Sequence, residues 1–232
     1  MQCAARRHKS SFPGCIFFCH MEVKTNMASQ PNSASNRIIT ISREFGSGGR
    51  TIGKKTAEKL GIPCYDAQMI QKIAEESGFA ADYVRKEGED AVGGWIFPII
   101  TDRTMGMTNQ DTLWVIQRRI ILELAEKGPC VIVGRCADFI LRGKADCLNA
   151  FIYASMECRA ARIVKEYGER EQSPERRLKE KDRRRAAYHR FYTDMTWGHA
   201  QNYHICLDSG TLGINTCVEI LSRLYHKEAI QA

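Results

Sequence analysis

The sequence predicts an α/β fold, with a five-stranded parallel sheet covered by helices on both faces. Three observations carry this expectation. Short β-branched or continuously apolar runs alternate five times with helical segments, the pattern of βαβ units. A glycine-rich loop, Gly46-Ser47-Gly48-Gly49, separates the first such run from the first helix. The composition is globular, with 44% hydrophobic and 26% charged residues in a chain of 232.

Residues 1–36 do not share the pattern and read as a disordered or non-native N-terminal extension. Their apolar run at 15–19 is shorter than the about 7–15 residues of a secretory core, and 28–36 (ASQPNSASN) has linker composition. The folded unit is expected over 37–232. Residues 37–42 (RIITIS) form a buried strand by type. Residues 51–60 carry helical periodicity and are closed by Gly61 and Pro63. A short strand at 64–65 ends at Asp66, and helices follow over 67–77 and 80–88. The stretch 92–108 is irregular. Residues 113–126 are an amphipathic helix stopped by Gly128-Pro129. Apolar runs at 130–134 (CVIVG) and 148–154 (LNAFIYA) are strands of the buried type, and a fifth strand is expected at 203–207. Helices are expected over 156–167, 174–192 and 214–226.

Several classes are excluded. No apolar run approaches the roughly 18 residues of a membrane span. The ten cysteines are too sparse for a disulfide framework and contain no CxxC pair. They suit reduced thiols in a cytoplasmic protein. The six histidines show no metal-ligand spacing. Trp95, Trp114 and Trp197 read as packing residues.

Strand, glycine loop, helix is the layout of a phosphate-binding turn, in which helix N-terminal amides face an anion. Gly46, Ser47, Gly48, Gly49, Arg50 and Thr51 are the candidate ATP-phosphate residues. The pattern GxxxxGK[ST] is not met, because no lysine follows the last glycine. Two registers are open. With Gly49 as the last glycine, Arg50 is the phosphate cation and Thr51 the magnesium hydroxyl. With Gly48 as the last glycine, Gly49 takes the lysine position and the cation comes from elsewhere. The first is favoured because both chemical groups then fall where they are needed.

The stretch 39–66 (ITISREFGSGGRTIGKKTAEKLGIPCYD), then GPCVIVGRCADFIL, DRRRAAYHRFYTDMTWGHAQNY and LDSGTLGI, resembles the cytidylate kinase-like family over residues 37–226. The resemblance implies a P-loop NTPase three-layer sandwich with a five-stranded parallel sheet. It also implies a helical acceptor-binding insertion, about 67–110, and a helical lid, about 168–190. It implies transfer of the ATP γ-phosphoryl group to a nucleoside monophosphate, CMP or dCMP first, with Mg²⁺. On the matching positions, Arg135 and Lys72 contact the acceptor phosphate, and Asp182 and Arg185 form the lid's D-x-x-R. Asp208-Ser209 falls at the end of the last strand. The Asp that follows Gly-Arg in such kinases is Cys136 here, with Asp138 two residues on. This departure bears on cytosine selectivity.

Residues 159–190 hold twelve Lys/Arg and six Asp/Glu. Two clusters, 176–177 and 183–185, lie about two helical turns apart, so some of their side chains share a face. Arg177, Arg185 and Asp182 are the catalytic candidates, together with Arg50. Asp66, at a strand's carboxyl end, either orients the acceptor, holds Mg²⁺ through water, or caps the next helix. The expected partners are a nucleotide or another small phosphorylated acceptor, with no membrane and no nucleic acid. A different small-molecule acceptor and a non-catalytic nucleotide sensor are the alternatives, and the oligomeric state is left open.

Overall fold

A computed structural model describes residues 37–76 and 109–226. The extension 1–36, the helix expected over 80–88, the irregular stretch 92–108 and Trp95 lie outside the described residues. The elements in chain order are β1 (Arg37–Arg43), α1 (Gly49–Leu60), β2 (Cys64–Tyr65), α2 (Ala67–Glu76), α3 (Asn109–Lys127), β3 (Cys130–Val133) and α4 (Ala137–Ile140). Then come β4 (Asp146–Tyr153), α5 (Met156–Tyr167), α6 (Pro174–Thr193), a 3₁₀ turn (Ala200–Asn202), β5 (Ile205–Asp208) and α7 (Ile214–Tyr225).

The five strands form one parallel sheet in the order β2-β3-β1-β4-β5. Strand periodicity sends alternate residues to opposite faces. Ile38 joins Cys130 and Ile132 under Ile70, Ile121 and Ile140 of α2, α3 and α4. Ile39 and Ile41 join Val131, Val133, Leu148 and Ile152 under Ile52 of α1 and Leu221 of α7. This two-sided burial explains why β1, β3 and β4 read as continuous apolar runs rather than alternating ones. With β1 central, the loops after β1, β3 and β4 converge at the carboxyl end of the sheet, where ligands bind in open α/β folds.

A smaller cluster, Ile163 and Leu178 with Phe45 packed on it, fastens α6 to α5 and to the glycine loop. The sequence marks both helix starts. Ser155 and Ser173 cap α5 and α6 through their hydroxyls, and Pro174 opens α6.

Three details depart from expectation. Helix α1 begins at Gly49 rather than 51, because Gly48 (φ 77°) caps it in the left-handed region. Strand β5 spans 205–208 rather than 203–207, because residues 200–202 coil into the 3₁₀ turn just before it. Helix α4 was not expected. No described helix is long and apolar enough to cross a membrane.

Candidate active site

The loop between β1 and α1 is bent tightly and held from three sides. Gly46 and Gly48 have φ of 78° and 77°. That backbone disfavours a side chain at either position, and crowding adds to it: a Cβ on Gly46 would lie 3.0 Å from the Arg159 carbonyl oxygen, and one on Gly48 would push on Ile214 Cδ1 at 2.5 Å. Ser47 Oγ donates to the Glu44 carbonyl at 2.9 Å, closing the turn. Arg162 Nη1 donates to the Gly46 carbonyl at 2.8 Å, and Ser209 Oγ donates to the Ser47 carbonyl. Asp182 Oδ1, from α6, accepts the Phe45 amide at 2.7 Å. The loop's carbonyls are thus turned to the protein, while the first amides of α1 have no helical acceptor and, with the helix dipole, suit an anion.

A pocket of about 200 Å³ opens beside this loop, between the carboxyl ends of β1 and β3 and helix α6. Five cations line it: Arg43, Arg135, Lys181, Arg184 and Arg185. Phe45, Tyr188 and Trp197 supply aromatic walls, and no Asp or Glu is among its described lining residues. Burial pushes Arg43 down to about 9, with Arg185 and Arg135 adding repulsion. Burial also lowers Arg185, and burial with Arg184 and Arg185 lowers Lys181. At neutral pH the guanidinium of Arg43 stays charged, so the fold carries that cost at every pH below about 9. An anion in the pocket relieves it. Saturating inorganic pyrophosphate is therefore expected to raise the thermal midpoint. At a hundredfold excess over its Kd the gain corresponds to about 2.7 kcal/mol. Sodium chloride at matched ionic strength is expected to do far less. Scanning fluorimetry measures both; equal responses would remove the argument for a specific anion site.

The turn after β3 is strained. Gly134, Arg135 and Cys136 have φ of 82°, 57° and 54° in succession. A non-glycine residue in this region costs roughly 1–2 kcal/mol, and such strain concentrates at functional sites. Here it sets Arg135 in the pocket wall and lets Cys136 cap the short α4. Asp138 is fully buried behind the wall, with Oδ2 3.4 Å from Nε2 of His189, which itself lines the pocket.

The structure brings some of the predicted residues together and separates others. Arg135 and Arg185 both line the pocket, and Arg185 Nη1 donates to the Arg43 carbonyl at 3.0 Å. Asp182 does not line it. It joins the loop to α6 by accepting from Phe45 and from Arg159 Nη1. Arg177 is buried away from the pocket lining, donating to the Gly168 carbonyl at 3.3 Å. Arg50 is exposed, with Nε on Asp66 at 2.7 Å and Nη2 on Gln68 at 2.7 Å. Asp66 Oδ1 accepts the Gln68 and Met69 amides, so it caps α2. Burial raises its pKa, but the Met69 amide and Arg50 outweigh that and hold it below the ordinary value. Lys72 is exposed on α2 and Thr51 is exposed in the first turn of α1. Arg43, Lys181 and His189 are pocket residues that the sequence did not single out; Lys181 carried a signal only as a member of the charge run, whereas Arg184 belongs to the 183–185 cluster.

Strand order, glycine loop and cationic pocket together define a P-loop α/β kinase fold. The sequence matches the model of the cytidylate kinase-like family over residues 38–211, and the chain belongs to that family of phosphotransferases. A cytidylate kinase of Archaeoglobus fulgidus is 29% identical over 197 residues, covering 83% of this chain and 97% of that one. A cytidylate kinase of Methanopyrus kandleri is 28% identical over 155 residues, covering 63% of this chain and 70% of that one. Among solved structures, an uncharacterized protein from Eubacterium ventriosum superposes with a TM-score of 0.63 at 28% identity, covering 82% of this chain and 98% of that one. A shikimate kinase from Bacteroides thetaiotaomicron, at 0.51 and 15% identity over 83% of this chain and 99% of its own, shares the fold.

Proposed function

We propose that the protein transfers the γ-phosphoryl group of ATP to a nucleoside monophosphate, with CMP or dCMP the first acceptor. The observation that carries this is the pocket: five cations and three aromatic rings at the carboxyl end of the sheet, beside the glycine loop. Cations suit the phosphates of two nucleotides, and rings suit a base. An oxygen of the acceptor phosphate attacks the γ-phosphorus. The new P–O bond forms as the bond to the β-phosphate oxygen breaks, and the electron pair leaves on ADP. Catalysis is then positioning plus charge stabilisation on the equatorial oxygens. Arg135 holds the acceptor phosphate, the first amides of α1 hold the donor, and α6 acts as the lid whose Arg185 faces the transferring group.

Magnesium, when it arrives with ATP, neutralises charge on the β- and γ-phosphates. The residues present fit an ion carried by the nucleotide. Thr51 offers one exposed hydroxyl in the first turn of α1, and Asp66, already engaged by Arg50 and by its helix cap, serves at most through water. No group of three or more His, Cys, Asp or Glu among the described residues forms a resident site. The free thiols of the described cysteines fit a reducing cytoplasm.

Cys136 stands where such kinases carry an Asp, while Asp138 meets His189 through Oδ2 and keeps a buried Oδ1 with no hydrogen-bond partner among the described residues. Among the described residues, the aromatic wall, His189 and Asp138 are the groups placed to select the base. Coupled ADP release with ATP, Mg²⁺ and a panel of monophosphates tests the proposal, with CMP or dCMP expected to turn over fastest. Turnover only with a non-nucleotide acceptor would replace the substrate. Tight ATP binding with no acceptor turned over would make the protein a nucleotide sensor.

A further inference from the structure

In a standard phosphate loop the first position is glycine and the residue after the last glycine is lysine. Helix α1 starts at Gly49 and is capped by Gly48. Counted from Gly48 as the last glycine, the lysine position is Gly49 and the first-glycine position is Arg43. One position that is ordinarily empty holds a long cation, and one that is ordinarily cationic holds no side chain. The two departures meet in space. A Cβ on Gly49 would lie 2.5 Å from Arg43 Cβ and 2.9 Å from its Cγ. The stem of Arg43 therefore occupies the volume into which a side chain at 49 would grow. Its guanidinium presses on the β3 turn: a Cβ on Gly134 would lie 2.0 Å from Arg43 Nη1. Gly49 is the glycine that the Arg43 stem requires, while Gly134, with φ of 82°, also leaves room for its guanidinium.

This places the stem of Arg43 against the start of α1 and its guanidinium against the β3 turn, and both Arg43 and Arg135 line the pocket. Among the described residues no side-chain hydrogen bond or ion pair ties it down. Asp66 favours its charge, while Arg185, Arg135 and Arg50 oppose it. Arg50, the cation nearest in sequence, is spent on Asp66 and Gln68.

We propose that Arg43 is the phosphate-loop cation of this protein: it binds the γ-phosphoryl group of the nucleoside triphosphate in place of the missing lysine, and Gly49 is side-chain-free to admit it. The exchange is reciprocal, a cation moved from position 49 to position 43 and a glycine moved the other way. The inference rests on the phosphotransferase reading and goes beyond it in naming the residue and its ligand atom group.

The test is an exchange cycle on the full chain: Arg43→Met, Arg43→Lys, Arg43→Gly, Gly49→Lys, the double variant R43G/G49K, and Arg50→Met for comparison. Thermal midpoints report folding, and calorimetry with ATP and ADP in Mg²⁺ reports the γ-phosphate contact. Loss of a charge-assisted contact predicts that Arg43→Met weakens ATP about tenfold or more while ADP changes little. Arg43→Lys is expected to keep part of the ATP preference. Gly49→Lys alone is expected to be destabilised by the clash with Arg43. R43G/G49K, which restores the first glycine and the lysine of the pattern while Arg50 still stands where Ser or Thr would follow, is expected to fold and to regain the ATP preference that Arg43→Gly loses. If Arg43→Met binds ATP as the wild type does while Arg50→Met does not, the inference is overturned and Arg50 is the cation. Normal stability of Gly49→Lys would overturn the exclusion of a side chain at 49. A double variant that folds and discriminates no better than Arg43→Gly would overturn the exchange. Wild-type protein that binds neither ATP nor pyrophosphate would instead reject the phosphotransferase reading.

Discussion

Arg185→Met is expected to lower kcat about a thousandfold, at the low end of what removal of a transition-state arginine costs. The residue lines the pocket with its guanidinium 5.5 Å from the centre of the Phe45 ring, and Nη1 on the Arg43 carbonyl. Asp182 Oδ1 is 4.0 Å away, and that carboxylate is held more closely by Arg159, at 2.5 Å through Oδ2, so its charge is shared. Arg185 is therefore oriented with only part of its charge answered by Asp182. Charge developing on the transferring group is what such a cation answers, so the loss falls on kcat more than on either KM. Steady-state ADP release for the wild type, Arg185→Met and Arg185→Lys separates the possibilities. A loss under tenfold, or one carried entirely by KM, would leave Arg185 as a residue that merely docks α6 on the loop.

Much of the fold was legible because two-sided burial leaves an unmistakable pattern. Residues 37–42, 130–134 and 148–154 are continuously apolar since both faces of β1, β3 and β4 are covered. Helix α4 was not legible: it has only four residues and starts from a cysteine in the left-handed region. In the site, Arg135 was readable from Gly-Arg following a strand. The charge run was readable as a run but not as a face. Lys181, Arg184, Arg185 and Tyr188 recur at helical spacing and meet the pocket. Arg177 lies on the same stripe one turn too early and reaches the Gly168 carbonyl instead. Arg159 opens the same charge run, yet it is 5% exposed. Arg43 was hidden for a different reason. A linear motif seeks the phosphate cation beside the last glycine, whereas here it stands six residues upstream, and only the contact with Gly49 exposes the exchange.

Arg159→Met is expected to destabilise the fold by about 3–5 kcal/mol, the cost of removing one partner from a buried ion-pair cluster. Its Nε donates to the Ala154 carbonyl at 3.0 Å and lies 3.3 Å from Glu44 Oε2. Its Nη1 reaches the Phe45 carbonyl at 3.2 Å and Asp182 Oδ2 at 2.5 Å. One guanidinium therefore ties the end of β4, the glycine loop and α6 together, and methionine restores volume but strands two carboxylates. The pH dependence distinguishes this cause from lost packing. Burial already raises the Glu44 pKa, and Arg159 is one of the charges restraining the rise. In the variant it climbs further, so the native state binds more protons than the unfolded chain over a wider range. Stability then falls as pH rises through that range and recovers as pH falls. Thermal midpoints from pH 8 down to pH 5.5 are expected to show Arg159→Met regaining part of its deficit against the wild type. A deficit that stays constant with pH would mean that packing, not the stranded carboxylates, sets the cost. The same cluster makes the loop and α6 one mechanical unit, so Asp182→Asn, which keeps an acceptor for the Phe45 amide but gives up the ion pair, is expected to lose less stability than Arg159→Met.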